Sequence, residues 1–204
     1  MAKLYFYYGA MGASKTAQAI MTKYNYEEKG QKALLVKADL DKRDDDGGRN
    51  MIRSRVGLEL ECELLSRICT WEAERLSSYD VIIVDEAQFA TKKEVERLSD
   101  IVDFYKVPVI CFGLRADFLG NLFEGSQALL ALADKILEIK TMCWCGKKAI
   151  MNARFDENGI MREGAQIVLG ANSSYTALCR KHWKQGLLFG PEPRTPLRGC
   201  GPML

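Results

Sequence analysis

Gly9 and Gly12, followed after one residue by Ser14-Lys15-Thr16, constrain this chain more than any other feature. The apolar run Leu4-Tyr-Phe-Tyr-Tyr8 before them reads as a strand, and Ala17-Gln-Ala-Ile-Met-Thr-Lys-Tyr24 after them reads as a helix. A loop at such a junction aims backbone N–H groups and the positive end of the helix dipole at one point. Phosphate is the ligand that suits such a point. Within Gly9-Ala10-Met11-Gly12-Ala13-Ser14-Lys15-Thr16, the Lys15 ammonium can reach outer phosphates and the Thr16 hydroxyl can ligate Mg²⁺. The expected ligand is a nucleoside triphosphate. The pattern puts glycine just before the lysine, and here Ser14 occupies that place. A Cβ and a hydroxyl there are expected to crowd the approach of backbone to phosphate. On this segment alone, a lysine-capped loop with no ligand is the alternative.

The rest of the first two thirds alternates strand-like and helix-like stretches. Gln31–Lys37 reads as the second strand, while Asp80–Asp85 and Val107–Phe112 are short, β-branched and apolar on both faces, as central parallel strands are. Between them Val95, Leu98, Ile101, Val102 and Tyr105 recur at helical spacing within Lys92–Lys106. Strands alternating with helices predict a parallel α/β sheet flanked by helices, of the P-loop NTPase type, over residues 1–140. Asp39–Asn50 is dense in Asp, Lys, Arg and Gly and reads as a solvated surface loop, and Arg53 and Arg55 fall in a further polar loop. One of those arginines could neutralise phosphate charge, or both could be surface residues. After Lys140 the segments shorten and glycines and cysteines gather, which predicts a second, small domain over 141–186. Residues 187–204 then read as a disordered tail, since Phe189–Leu204 holds four of the five prolines.

Asp85 and Glu86 supply the second functional signal. In α/β sheets, ligands sit beyond the carboxyl ends of strands. From there Asp85 can hold Mg²⁺ opposite the phosphate loop, and Glu86 can accept the proton of an attacking hydroxyl or water. Two solvated acids at a strand end are the plainer alternative. The chain lacks Asn-Lys-x-Asp and Leu-Ser-Gly-Gly-Gln, which points away from GTPases and transporter ATPases.

A third signal is the pairing of Cys143-Trp-Cys145-Gly146 with Cys179-Arg-Lys-His182, the last being the only histidine among 204 residues. Three thiolates and one imidazole make a closed tetrahedral Zn²⁺ site with no open position, hence a structural one. No basic leader precedes an apolar run and a cleavage site, so a reducing cytoplasmic setting is expected and disulfides are not. Cys62, Cys69 and Cys111 are scattered and read as ordinary core or surface thiols. No apolar stretch approaches membrane-span length. A net charge of +2 gives no reason to expect a nucleic-acid partner.

Five motifs in order, Gly9–Thr16, Asp85-Glu-Ala-Gln-Phe89, Phe112-Gly-Leu-Arg-Ala-Asp-Phe118, Phe123-Glu-Gly-Ser126 and the Cys143/Cys145/Cys179/His182 set, resemble the cytosolic (type II) thymidine kinases, bacterial branch. Leu4–Tyr8, Tyr24-Asn-Tyr26 and the Cys143-Trp-Cys145-Gly146 turn resemble the bacterial members in particular. The resemblance runs from Met1 to Gly186. It implies transfer of the γ-phosphoryl of ATP to the 5′-hydroxyl of thymidine, giving dTMP for DNA synthesis, with Mg²⁺. It implies Glu86 as general base, Gly9–Thr16 on the triphosphate, and Asp85, Glu86, Ala87 and Gln88 completing the nucleotide and metal site. Met11, Phe89, Leu114 and Phe118 would line the nucleoside pocket. Val168–Ala171 and Tyr175 would belong to a lasso-like loop over the base, within the zinc-binding domain. It further implies a homotetramer and dTTP as feedback inhibitor. Ala116 and Leu119 stand where the family usually has Thr and, in bacteria, Arg. These departures, with Ser14, leave a binder that does not turn over as the alternative.

Overall fold

The computed structural model describes residues 1–39, 49–167 and 175–190. Residues 40–48 of the expected loop Asp39–Asn50, the lasso segment Val168–Ala171 and the tail from 191 onward lie outside these residues.

The chain opens with β1 (Leu4–Tyr8), α1 (Lys15–Glu27) and β2 (Ala33–Lys37). A hairpin of β3 (Met51–Arg53) and β4 (Glu59–Glu61) leads to β5 (Glu63–Leu64), α2 (Leu65–Cys69) and α3 (Ala73–Leu76). Then come β6 (Val81–Asp85), a 3₁₀ turn at Ala87–Phe89, α4 (Lys92–Tyr105), β7 (Val109–Gly113), α5 (Glu124–Leu132) and β8 (Lys135–Glu138). The order β5-β2-β6-β7-β1-β8 forms one six-stranded sheet, with every pair parallel. The expected parallel α/β sheet is therefore what the chain forms.

The apolar runs explain the layers. Alternate residues of a strand face opposite sides. On one face Leu4, Phe6, Leu34, Val36, Ile82, Val84, Val109 and Cys111 pack with Val95, Leu98, Ile101 and Val102 of α4. On the other, Ala33, Leu35, Val81, Ile83 and Phe112 pack with Ala19 and Ile20 of α1. Both faces are covered, so β6 is buried along its whole length and its sequence shows no polar alternation. α4 starts at a capping box, in which the Thr91 side chain accepts from the Glu94 N–H and the Glu94 carboxylate accepts from the Thr91 N–H.

Element ends differ from the sequence reading by a few residues. The second strand starts at Ala33, because the N–H of Lys32 is taken by the Asp80 carboxylate. α4 stops at Tyr105, where Lys106 turns left-handed with φ 63°. Arg53 belongs to β3 and not to a loop, and its guanidinium pairs with Glu59 across the hairpin at 3.0 Å.

Beyond β8 the segments are short: β9 (Thr141–Met142), β10 (Lys148–Ala149), β11 (Met151–Asp156), β12 (Gly159–Ile160), β13 (Tyr175–Leu178) and α6 (Arg180–Gln185). β9 and β10 form a two-stranded ribbon, and β12-β11-β13 an antiparallel sheet. Their apolar cluster is small, with Cys143, Ala149, Ala153, Leu178 and Cys179 as its buried members. Among the described residues, no helix is long and apolar enough to cross a membrane.

Candidate active site and metal centre

The parallel sheet sets the carboxyl ends of β1, β6 and β7 side by side. The chain leaves β1 through Gly9, whose N–H donates to the Gly113 carbonyl at the end of β7. A Cβ on Gly9 would come within 2.6 Å of the Ile139 carbonyl oxygen and 2.9 Å of the Ala13 Cβ, so only glycine fits. The loop then needs two left-handed residues, Gly12 at φ 75° and Ser14 at φ 56°. Gly12 takes that conformation without penalty, whereas Ser14 is strained. Ser14 is exposed, however, and makes no capping bond to α1. The cost of the serine in the free loop is therefore backbone strain.

Lys15 begins α1 and is 9% exposed. Its ammonium donates to the carbonyls of Gly9 at 3.2 Å and Ala10 at 3.0 Å. Burial pushes its pKa down, the carboxylates of Glu86 and Asp85 oppose that shift, and Arg55 adds to it. The same set of fields shows that Lys15, Asp85 and Glu86 share one site and that Arg55 is within its reach. Asp85 is 2% exposed, and burial followed by the Glu86 charge holds its carboxyl well above the usual carboxylate range. A hydrogen bond from Thr16 works in the opposite direction. Thr16 thus lies beside Asp85, and the two expected Mg²⁺ ligands are a hard-oxygen pair that fits this cation.

Glu86 sits at φ 50°, a second strained non-glycine residue, at the start of the 3₁₀ turn. Its carboxylate accepts from the side-chain amide of Gln88. The other end of that amide accepts from the Leu114 N–H at 2.9 Å, and Gln88 is 1% exposed. Gln88 thus ties Glu86 to the segment that follows β7. Two glycines make room for the turn. A Cβ on Gly113 would lie 2.9 Å from the Gln88 Oε1, and one on Gly125 would lie 2.5 Å from the Ala87 carbonyl oxygen. Both belong to the motifs that carry the resemblance.

The expected nucleoside-side residues are each held by local partners. Phe89 stacks edge-on against Phe123, with ring centres 5.7 Å apart. Leu114 is anchored at both backbone atoms, donating to Gln88 and accepting from the Ser126 hydroxyl at 2.6 Å. Phe118 is 1% exposed beneath the Arg154 guanidinium, at 5.5 Å, and its carbonyl accepts from the Trp183 indole at 3.1 Å. Asp117 pins the turn next to it, its carboxylate accepting from the N–H groups of Leu119 and Asn121 and from Gln166. Tyr175 opens β13, opposite Arg154 on β11. Val168 lies outside the described residues.

The predicted metal ligands converge. One donor atom from each of Cys143, Cys145, Cys179 and His182 lies within 4.8 Å of the others. Cys143 Sγ and His182 Nδ1 are 3.4 Å apart. The tight turn between the first two cysteines is closed by the Gly146 N–H on the Cys143 carbonyl, with Gly146 left-handed at φ 83°. The N–H of Lys147 holds the Cys145 thiol below its ordinary pKa. Trp144 stacks on His182 with planes 7° apart. Three thiols and one imidazole in this cluster fit Zn²⁺. Cys62 and Cys111 are buried thiols, and burial pushes Cys111 up.

Three members of the site carry no local signature in the sequence: Gln88 as an orienting group, Trp183, and Asn152. Asn152 is 5% exposed and bonds to both the phosphate loop and the segment after β7.

A parallel sheet with a glycine- and lysine-bearing loop after its first strand, an acidic pair at the end of β6 and a Cys₃His cluster whose donors fit zinc define an α/β protein of the P-loop NTPase type. The family model for "Thymidine kinase" matches residues 2–183. A thymidine kinase of Legionella pneumophila (strain Paris) is 44% identical over 204 residues, 97% of this chain and 96% of that one. One of Shigella dysenteriae is 42% identical over 196 residues (93% and 94%), and one of Yersinia pseudotuberculosis 44% over 193 residues (92% and 97%). The chain belongs to the thymidine kinase family.

Proposed function

We propose that the protein transfers the γ-phosphoryl group of ATP to the 5′-hydroxyl of thymidine, giving dTMP and ADP. The observation that carries this reading is the fixed carboxylate of Glu86, held by Gln88 at the carboxyl end of β6 and sharing an electrostatic environment with Lys15. Phosphoryl transfer needs positioned phosphates, charge neutralisation and an oriented nucleophile. The loop amides around Gly12–Thr16 hold the triphosphate. Lys15 exchanges the Gly9 and Ala10 carbonyls for phosphate oxygens. Thr16 and Asp85 would hold Mg²⁺, which when bound supplies positive charge to the phosphates.

Glu86 accepts the proton of the 5′-hydroxyl as its oxygen bonds to the γ-phosphorus. The bond from that phosphorus to the β–γ bridging oxygen breaks, and the electron pair leaves on ADP. Phe89, Leu114 and Phe118, with Met11 and Tyr175, form the nucleoside side. Cys143, Cys145, Cys179 and His182 would hold Zn²⁺ as a staple for a unit with few apolar residues of its own.

A cytoplasmic setting, a homotetramer and inhibition by dTTP complete the proposal, each carried by the resemblance to the type II family. The test is an assay with Mg-ATP and thymidine, deoxycytidine, deoxyadenosine or no nucleoside, with products separated by chromatography. Thymidine monophosphate, with little ADP in the no-nucleoside control, is the expected result. ADP release that does not depend on nucleoside would replace the kinase reading with an ATPase.

A further inference from the structure

We propose that Asn152 is a positioning residue that latches the phosphate loop to the nucleoside-side loop, so that one side chain sets the geometry of both substrate sites. The inference rests on the kinase reading above for which substrates are affected, and on the structure for the latch itself.

Asn152 lies on β11, in the short-stranded region that also carries the cysteine cluster. Its Oδ1 accepts from the Met11 N–H at 2.8 Å, and its Nδ2 donates to the Ala116 carbonyl at 2.7 Å. The amide thus uses both of its ends, one on each loop. Those ends cannot be exchanged, because a backbone N–H requires an acceptor and a carbonyl requires a donor. Asn152 is 5% exposed, so water cannot take over either bond readily. Met11 is the residue before Gly12 in the phosphate loop. Its N–H is committed to Asn152, which leaves the amides that follow it to face a ligand. Ala116 immediately precedes Asp117 and Phe118, the turn that ends in a buried ring.

The strand explains how one residue reaches both. Residues two apart on a strand share a face, and Arg154, two beyond Asn152, lies over the Phe118 ring at 5.5 Å. One face of β11 therefore lies along both loops. The other side of the small region adds single ties: Trp183 to the Phe118 carbonyl at 3.1 Å and Gln166 to Asp117 at 2.8 Å. Each of these reaches the nucleoside-side loop alone. Asn152 bonds to both, so its loss removes the side chain that couples Met11 to Ala116.

The test uses Asn152→Leu, close in size and unable to make either bond, and Asn152→Ala, which cannot overpack. Full-length, zinc-loaded protein is compared with wild type for KM of ATP, KM of thymidine, kcat, and amide exchange at Met11. The latch predicts that both KM values rise about fivefold or more, as expected when a buried hydrogen bond is left unmade. It predicts a smaller change in kcat and faster exchange at Met11. A lowered melting temperature with both KM values within about twofold of wild type would reduce Asn152 to a packing residue and overturn the proposal. A rise in one KM alone would overturn it too, since the latch acts on both loops. Exchange at Met11 is read without substrate, so a wild-type protein inactive on thymidine would sink the kinase reading while leaving the latch to be decided by the exchange rates.

Discussion

Replacing Ser14 by glycine should stabilise the protein, and the reasoning can be worked in numbers. Ser14 holds φ 56° and ψ 28° at the mouth of α1, with its side chain exposed and no capping bond to lose. The left-handed conformation costs an L-residue about 1–2 kcal/mol. Glycine removes that strain but gives the unfolded chain more freedom, which offsets about 0.4–1 kcal/mol. The net gain is about 0.5–1 kcal/mol, or about 1–4 °C in melting temperature for a chain of this size. Gly12→Ala is the reciprocal change. Its φ is 75° and nothing lies within 4 Å of the added Cβ, so handedness alone is perturbed. It should lower stability by a similar ~0.5–1 kcal/mol. Thermal denaturation of the two variants beside wild type measures both. An unchanged or lower melting temperature for Ser14→Gly, with Gly12→Ala behaving as expected, would show that the serine contributes something its geometry does not reveal. Two unresponsive variants would refute the strain argument altogether.

Two further outcomes follow from the same geometry. Metal analysis should find about one zinc per chain. Its removal by a strong chelator should unfold β9 to α6 and shift the emission of Trp144 and Trp183 to the red, because Trp144 stacks on the ligand His182 and Trp183 follows it; a metal-free protein with unshifted emission would end the zinc proposal. Gly125→Ala should cost about 3 kcal/mol or more, since its Cβ would meet backbone oxygens of Ala87 at 2.5 Å and Ala90 at 2.6 Å, and neither can give without moving the turn that carries Glu86. Denaturant titration checks this, and a loss under about 1 kcal/mol would mean that the turn relaxes freely.

What the sequence makes legible is local. Val81–Asp85 and Val109–Gly113 announce themselves because both sheet faces are buried, and α4 because its apolar stripe has one partner face. The cysteine pairs are legible because closely spaced thiols and an imidazole are the donor set that suits a tetrahedral ion. The edge strand β8 is not, since Lys135, Ile136 and Leu137 are exposed and carry no burial pattern. Gln88 reads as part of a nucleotide motif, yet its amide serves Glu86 and Leu114, a pairing that depends on β6 and β7 lying side by side. Arg53 and Arg55 look alike in sequence. The hairpin pairs the first with Glu59 and brings the second within electrostatic reach of Lys15. Asn152 escapes detection because its partners are Met11 and Ala116, far off along the chain, and a lone asparagine in a short strand has no periodicity to mark it. Strand order and long-range side-chain contacts come from tertiary packing, which single-residue preferences do not encode.

The most direct test of the central claim is the turnover of Glu86→Gln beside wild type with Mg-ATP and thymidine. The amide keeps the size of the side chain and loses the base. A fall in kcat of about 10²–10⁴, with ATP affinity preserved within about twofold, is the predicted result. Unchanged turnover in a folded Glu86→Gln protein would contradict the account and take the proton away from Glu86.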